Sequence, residues 1–271
     1  MRPPSGTEPR TLVMVKPDGM ERPEVLAALE GEIGAAGLTV PVLVDTTLSE
    51  SEVSALFPSF HESAYPLTRV LVTCYLTSGP VRFLVLEGAD ALAAGRTIRK
   101  TIRSRYALAS LANCLHAAAD RGEAAHQLDW LARVRGARRD HHSATTARLT
   151  PPEPIVPGMV PGRLSALDLR LLGTSVWADL RRSGWAGLWQ WPAERGERAT
   201  FLLTDDVHSL DYVTSVLFEA HPDISAQNAL RAVLRVDRTG SAVVFSGRDG
   251  PVEELANNLR GHGLTVRSVG I

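Results

Sequence analysis

The chain has 271 residues, of which 29 are lysine or arginine and 30 are aspartate or glutamate, so its formal net charge at pH 7 is −1. This length suffices for two ordinary domains, and the near-zero charge gives no indication of a nucleic-acid partner. The two cysteines give no disulfide framework, no signal-peptide pattern lies behind Met1, and no apolar run approaches the roughly 18 residues of a membrane span, so we expect a cytoplasmic protein without a membrane partner.

Strand-like and helix-like segments alternate over residues 10–132, which predicts an α/β or α+β sandwich. The helical pattern is clearest where Val25, Leu29 and Ile33 recur at helical spacing before Gly37. The predicted strands are residues 11–15, 38–44 and 81–86, and the predicted helices are residues 23–36, 89–103 and 123–131, with a short helix after the Ser49 capping box.

Residues 133–164 are predicted to form an Arg/Pro-rich linker, because five prolines between positions 151 and 161 prevent regular structure. Residues 165–198 form a connecting segment that is rich in tryptophan, namely Trp177, Trp185, Trp189 and Trp191. Clustered tryptophans usually bury their rings, so we expect packing between the domains. A surface that docks a partner is the alternative.

Residues 199–271 are predicted to form a second, small α+β domain. The predicted strands are residues 200–203, 242–245 and 264–269, and the predicted helices follow Ser209 and Ser225 and cover residues 252–259.

Three residues of the first domain suit a protein that carries a phosphoryl group on its own side chain. The imidazole of His116 could attack phosphorus, while Lys16 and Arg103 could neutralise phosphate oxygens. A guanidinium matches the geometry of phosphate, and an ammonium supplies a point charge.

Residues 10–132 resemble the nucleoside diphosphate kinase family. The resemblance is carried by the runs Val15-Lys16-Pro17-Asp18-Gly19, Ser78-Gly79-Pro80-Val81 and Asn113-Cys114-Leu115-His116. It implies a ferredoxin-like α+β sandwich, in a family that is often hexameric. It also implies an enzyme whose histidine takes the γ-phosphate of a nucleoside triphosphate and passes it to a nucleoside diphosphate, assisted by Mg²⁺.

The resemblance also implies roles for single residues. His116 would be the nucleophile, and Asn113 would contact the sugar and β-phosphate region of the nucleotide. Lys16, Arg96 and Arg103 would hold phosphate oxygens. The resemblance implies no protein-held metal site.

The sequence departs from the family pattern at several of these supports. Phe60 replaces a tyrosine whose hydroxyl helps to orient the histidine, and Ala117–Ala119 replace the family's Gly-Ser-Asp after it. Gln127 replaces a glutamate, so its carbonyl could accept the far imidazole N–H bond but would add no negative charge. Residues 97–101 shorten a loop that shapes the nucleotide pocket and the subunit contacts, so we expect an oligomer smaller than a hexamer.

Residues 199–271 resemble ClpS, the adaptor that presents substrates with particular N-termini to the Clp protease. The resemblance is carried by the runs 203–213, 233–237 and 240–244. It implies a pocket that binds the α-ammonium and first side chain of a peptide. The corresponding positions are Thr204, Asp205, Leu210, Val233 and Asp237. Thr204 and Asp237 replace an asparagine and a histidine; the alternative is that these acids only cap helices and solvate a turn.

Two hypotheses about function follow. One is a phosphotransferase that works through phospho-His116, with the ClpS-like domain recruiting a peptide or protein that has a free N-terminus. The other is a catalytically weak or inactive nucleotide-sensing domain in an adaptor protein. The retained Lys16, Asn113 and His116 favour the first, and the short loop with the run Ala117–Ala119 favours the second.

Overall fold

The computed structural model describes the backbone of residues 10–58, 65–140, 171–179, 182, 198–204 and 207–270, and the side chains of these residues except 136–140. The chain divides into two compact units. The first unit comprises residues 1–61 and 75–153, and the second comprises residues 62–74 and 154–271.

The first unit contains a four-stranded antiparallel sheet with the strand order β2-β3-β1-β4. Its strands are β1 (Arg10–Val15), β2 (Thr39–Thr47), β3 (Pro80–Glu87) and β4 (Leu115–Ala117). The helices in this part of the chain are α1 (Pro17–Met20), α2 (Pro23–Ala35), α3 (Glu50–Leu56), α4 (Pro66–Leu76), α5 (Ala91–Tyr106) and α6 (Arg121–Asp140). Helix α4 crosses the division between the units after residue 74. The predicted α+β class is confirmed.

Strand β1 is central and runs through the core of the first unit. Leu12, Val13, Met14 and Val15 are all fully buried, because the strand is covered on both faces. The predicted Ser49 capping box is present: the Ser49 hydroxyl accepts from the Glu52 N–H, and the Glu52 carboxylate accepts from the Ser49 N–H.

Helix α5 runs without a break through residues 97–101, where the sequence resemblance implied a shortened loop. The stretch contains neither glycine nor proline, and Ile98 and Ile102 lie one helical turn apart in the core, 2% and 0% exposed. Continuous helix therefore takes the place of the loop.

The second unit contains a three-stranded antiparallel sheet with the order β6-β5-β7. Its strands are β5 (Arg198–Leu203), β6 (Ser241–Gly247) and β7 (Val266–Gly270). Its helices are α7 (residues 171–179), α8 (Leu210–Ala220), α9 (Ala226–Thr239) and α10 (Asp249–Gly261). The helices predicted to follow Ser209 and Ser225 are present as α8 and α9, and both serines cap them. Gly240 ends α9 with a φ of 80°.

The core of the second unit includes Leu217, Ala229 and Leu259, each fully buried. Trp177 is also buried, at 8% exposure, whereas Trp185, Trp189 and Trp191 lie outside the described residues. In the described part of the chain, no helix is both long enough and apolar enough to cross a membrane.

Candidate functional site

The turn from β1 into α1 places Lys16 beside the loop that precedes β4. The Lys16 N–H donates to the Cys114 carbonyl at 2.8 Å, and its Nζ donates to Asn113 Oδ1 at 2.7 Å. Nζ also lies 5.5 Å from the centre of the Tyr75 ring. The structure therefore brings together Lys16 and Asn113, which are far apart in the sequence.

A tight turn at Cys114 sets the direction of the chain into β4. Cys114 has a φ of 54°, and the Leu115 N–H donates to the Asn113 carbonyl at 2.6 Å. Gly19 packs against this turn so closely that an added Cβ would lie 2.7 Å from the Cys114 carbonyl oxygen. Position 19 thus has room only for glycine, because α1 and the turn are in direct contact.

Positive charge accumulates around Lys16. Burial, and then repulsion from the Arg103 guanidinium, lower the pKa of Lys16 from 10.5 to about 7, although Asp18 opposes the shift. Burial and the neighbouring Arg99 lower the pKa of Arg103 as well. An anion bound here would relieve both effects, because it would favour the charged forms of these side chains.

Asp18 is a buried acid that holds Tyr75 and Arg22 next to this region. Its side chain is 5% exposed; one carboxylate oxygen accepts from Arg22 Nη2 at 2.7 Å, and the other accepts from the Tyr75 hydroxyl. Burial, and then the Asp18 charge, raise the pKa of Tyr75 well above its usual value, so the hydroxyl keeps its proton. Sequence reasoning did not single out Tyr75, whose position beside Lys16 depends on the fold.

Three arginines of α5 hold the outer edge of β4 and the residues that follow it. Arg103 donates to the Leu115 carbonyl at 2.7 Å, Arg99 to the Ala117 carbonyl at 2.9 Å, and Arg96 to the Ala119 carbonyl at 3.1 Å. The arginines recur at helical spacing and the carbonyls at strand spacing, so the helix and the strand run side by side. We call this set the arginine row. Arg96 and Arg103 thus contact the segment that carries His116.

His116 lies on β4, paired with Met14, and its side chain is 14% exposed. The Phe57 ring meets the imidazole edge to face, with the centroids 5.0 Å apart. Burial lowers the pKa of His116 below its usual 6.5, an effect that Glu123 partly offsets. This shift favours the neutral imidazole, the form in which a ring nitrogen has a lone pair for attack.

The polar partners of His116 come from the first turns of α6. Glu123 Oε1 lies 3.3 Å from His116 Nε2, and Gln127 Nε2 lies 3.0 Å from the same nitrogen. Gln127 Nε2 also donates to Glu123 Oε1 at 2.9 Å. The expectation that the Gln127 carbonyl would accept a bond from the ring is wrong, because the amide nitrogen faces the ring. Gln127 itself adds no negative charge, as expected, but Glu123 supplies one.

Glu123 is held in place at both ends. Its Oε2 accepts from the Ala119 N–H at 2.6 Å, and its own N–H donates to Asp120 Oδ1 at 2.9 Å. Burial disfavours its charge, but the nearby His116 ring and the Ala119 N–H outweigh burial and lower the pKa of Glu123. The signal for this residue was present in the sequence, because Glu123 precedes Gln127 by one helical turn and shares its face of α6.

Two further expectations concern parts of this site. Phe60 lies outside the described residues. Among the described residues, no group of three or more histidine, cysteine, aspartate or glutamate side chains is placed to hold a metal ion.

The positions expected to bind a peptide in the second unit fall into two groups. The Thr204 N–H donates to the Gly240 carbonyl at 3.0 Å, so Thr204 meets the turn that follows α9, three residues beyond the exposed Asp237. Leu210 and Val233 belong to one apolar cluster. Asp205 lies outside the described residues.

A buried carboxylate of the second unit has a structural partner that the sequence did not reveal. Asp211, in the first turn of α8, is 4% exposed. Its Oδ1 accepts from the Leu67 N–H at 2.7 Å, and its Oδ2 accepts from the Thr68 N–H at 3.1 Å and the Thr68 hydroxyl at 2.6 Å. Asp211 therefore caps the first turn of α4, whose N–H groups have no partner within the helix.

Comparison with known proteins identifies two families along the chain. The sequence model described as nucleoside diphosphate kinase matches residues 9–133, and the one described as ATP-dependent Clp protease adaptor protein ClpS matches residues 194–267. A nucleoside diphosphate kinase of Mycobacterium tuberculosis is 34% identical over 118 residues, which cover 40% of this chain and 84% of that protein.

Relatives are found in other organisms too. A nucleoside diphosphate kinase of Methanocorpusculum labreanum is 31% identical over 140 residues, which cover 44% of this chain and 84% of that protein. Among solved structures, the nucleoside diphosphate kinase of Aquifex aeolicus matches 46% of this chain and 95% of its own, with 24% identity and a TM-score of 0.40. Given this identity and coverage, together with the match over residues 9–133, the chain belongs to the nucleoside diphosphate kinase family and carries a ClpS-type segment near its carboxyl end.

Proposed function

We propose that the first unit transfers a phosphoryl group from a nucleoside triphosphate to a nucleoside diphosphate through His116. The observation that carries this proposal is the surroundings of the imidazole. The polar contacts that the imidazole makes with described residues involve Nε2, which leaves Nδ1 to attack phosphorus. Lys16 and Arg103 supply positive charge on the neighbouring elements.

The chemistry has two half-reactions. In the first, the Nδ1 lone pair attacks the γ-phosphorus, a P–N bond forms, the bond to the bridging oxygen breaks and the nucleoside diphosphate leaves. In the second, an oxygen of the acceptor diphosphate attacks the same phosphorus and the P–N bond breaks. Lys16, Arg96 and Arg103 would stabilise the charge on the phosphate oxygens, and Asn113 would orient Lys16 and contact the nucleotide.

The γ-phosphate label of ATP tests this function directly. The wild-type chain, incubated with γ-labelled ATP and Mg²⁺, should acquire a label that is stable to base and labile to acid, as a phosphohistidine is. The variant His116→Ala should remain unlabelled, whereas His126→Ala, on the same helix as Glu123, should label like the wild type. Equal labelling of wild type and His116→Ala, or no labelling of either, would refute transfer through His116.

A second candidate is a nucleotide sensor with weak or no transfer. It is favoured by one observation: all three guanidiniums of the arginine row already donate to backbone carbonyls. Under this alternative, ATP would bind without labelling His116. Calorimetry with ATP and with a non-hydrolysable analogue separates the candidates, because a sensor binds both nucleotides and shows no second, chemical heat.

For the second unit, we propose binding of a peptide or protein partner through the region of Thr204, Leu210, Val233 and Asp237. The match of residues 194–267 to a protease adaptor family supports this proposal. Leu210, which is only partly buried against the core, and the neighbouring Val233 would contact an apolar first side chain. Asp205 and Asp237 would offer carboxylates to its ammonium group.

A further inference from the structure

The contacts at His116 Nε2 allow two arrangements of the ring proton. A neutral imidazole carries its proton on one nitrogen, and the other nitrogen then has the lone pair. With Gln127 Nε2 at 3.0 Å from the ring and 2.9 Å from Glu123 Oε1, the amide can donate one N–H to His116 Nε2 and the other to the carboxylate. The ring proton then lies on Nδ1, which cannot attack phosphorus.

The second arrangement uses Glu123 directly. Glu123 Oε1 lies 3.3 Å from His116 Nε2, close enough to accept an N–H bond once Gln127 withdraws. The ring proton then lies on Nε2, and Nδ1 has the lone pair that transfer requires. The positive charge that develops on the ring during attack would face a carboxylate that is ionised at neutral pH and anchored by the Ala119 N–H.

We propose that Glu123 is the positioning residue that makes His116 a nucleophile, and that Gln127 holds His116 in a resting tautomer when no nucleotide is bound. This inference rests on the proposed transfer through His116. Two residues of α6 would thus control the ring: the Glu123 carboxylate would orient it for attack, and the Gln127 amide would keep it in the inactive tautomer. Neither residue would touch the phosphate.

Other charged groups near the ring set the direction in which a ligand should act. Lys16 disfavours a positive charge on His116, and Arg99 acts on Glu123. A bound polyphosphate would offset both cations, which would make a positive charge on the imidazole less costly. Nucleotide binding should therefore favour the arrangement in which Nε2 carries the proton.

The test reads the tautomer by ¹⁵N NMR of the histidine rings in the full chain, with His116→Gln used to assign the signals. In the wild type, neutral His116 should be mainly protonated on Nδ1. Gln127→Met removes the donor at nearly constant volume and should move the proton to Nε2. Glu123→Gln should leave the proton on Nδ1 and lower the pKa of the ring. Asp129→Asn, on the exposed face of the same helix, is the matched control and should change neither quantity.

The labelling rate provides the second readout. Glu123→Gln should slow phosphorylation of His116 about 10-fold to 100-fold, the usual effect of losing a group that orients a catalytic side chain. Gln127→Met should keep or raise the rate. An unchanged tautomer in Gln127→Met, or an unchanged ring pKa in Glu123→Gln, overturns the inference. If the wild type takes up no label, the proposed transfer function fails, but the NMR result still decides the roles of Glu123 and Gln127. If Glu123→Gln does not fold, the tautomer in Gln127→Met alone decides the inference.

Discussion

The two units use buried charge in opposite ways. Around Lys16 and Arg103, positive charge is concentrated without an equal number of nearby carboxylates, and burial lowers the pKa of both side chains. Around Asp211, the single buried carboxylate is fully engaged by the N–H groups and hydroxyl at the start of α4. In the first arrangement Asp18 only partly offsets the positive charge, which suits an anionic ligand, whereas in the second the carboxylate has its partners within the chain, which suits a structural role.

Of the variants proposed here, replacement of Lys16 should cause the largest loss, which is a loss in the labelling rate of His116. Lys16→Met removes a phosphate-neutralising charge, so the labelling rate of His116 should fall about 100-fold or more. Lys100→Met, on the exposed side of α5, is the matched control and should retain the wild-type rate. Rates within about 3-fold of each other for the two variants would mean that the charge of Lys16 does not serve transfer.

The same variant should change how stability depends on pH. Lys16 has a pKa of about 7 in the folded chain and 10.5 ordinarily, so between these values the unfolded chain binds more protons and stability rises with pH. Below pH 7 the folded state carries the full cost of the buried ammonium. Lys16→Met should therefore be more stable than the wild type at pH 6, with the difference shrinking towards pH 10, as measured by urea unfolding.

Removing the Asp211 carboxylate should lower the stability of the fold, because Asp211 has no role in the proposed phosphoryl transfer. Asp211→Ala leaves the Leu67 and Thr68 N–H groups without their acceptor, which should cost about 2–3 kcal/mol of unfolding free energy. Asp249→Ala removes an exposed acid from the first turn of α10 and should cost less than about 1 kcal/mol. Equal losses in urea unfolding would show that the buried cap has no special importance.

The second unit should bind peptides with a free amine in preference to acetylated ones, and this preference should be smaller than the effect of Lys16→Met on labelling. A peptide with an apolar first residue should bind about 10-fold more tightly than its acetylated copy, because acetylation removes the charge and donors that carboxylates recognise. Asp237→Asn should reduce that preference, whereas Asp223→Asn, at an exposed position of the same unit, should not. Calorimetry that finds the two peptides indistinguishable would exclude amine recognition.

The assembly state tests how far the first unit departs from its relatives. Continuous helix replaces the loop at residues 97–101, and we expect the loss of loop contacts to give an oligomer smaller than a hexamer. Light scattering of the full chain gives the mass. A hexameric mass would show that the remaining surfaces suffice for the larger assembly.

Sequence reasoning succeeded where the chemistry lies in short runs. His116, Asn113 and Lys16 could be found because each belongs to a motif of a few residues, and the capping box at Ser49 because its partner Glu52 lies three residues away. The motifs could not show that Lys16 and Asn113 would touch, since this depends on the turn at 114.

The misses have physical causes that differ from one element to the next. Helix α4 was not predicted, because the run from Val70 to Leu76 is apolar and contains β-branched residues, which favour strands, and because its cap comes from Asp211, far along the chain. Strand β4 was not predicted, because three residues give no alternating pattern. Glu123 was missed because the carboxylate was expected at position 127, and moving it by one helical turn keeps it on the same face.

The arginine row has a consequence for how this chain behaves in concentrated solution. Strand β4 is an edge strand, and open edges invite pairing with strands of other molecules. Here Arg96, Arg99 and Arg103 occupy the outward carbonyls and surround the edge with positive charge. Another strand would have to displace three charge-assisted bonds to add at this edge, so the row protects the sheet against aggregation where it displays His116.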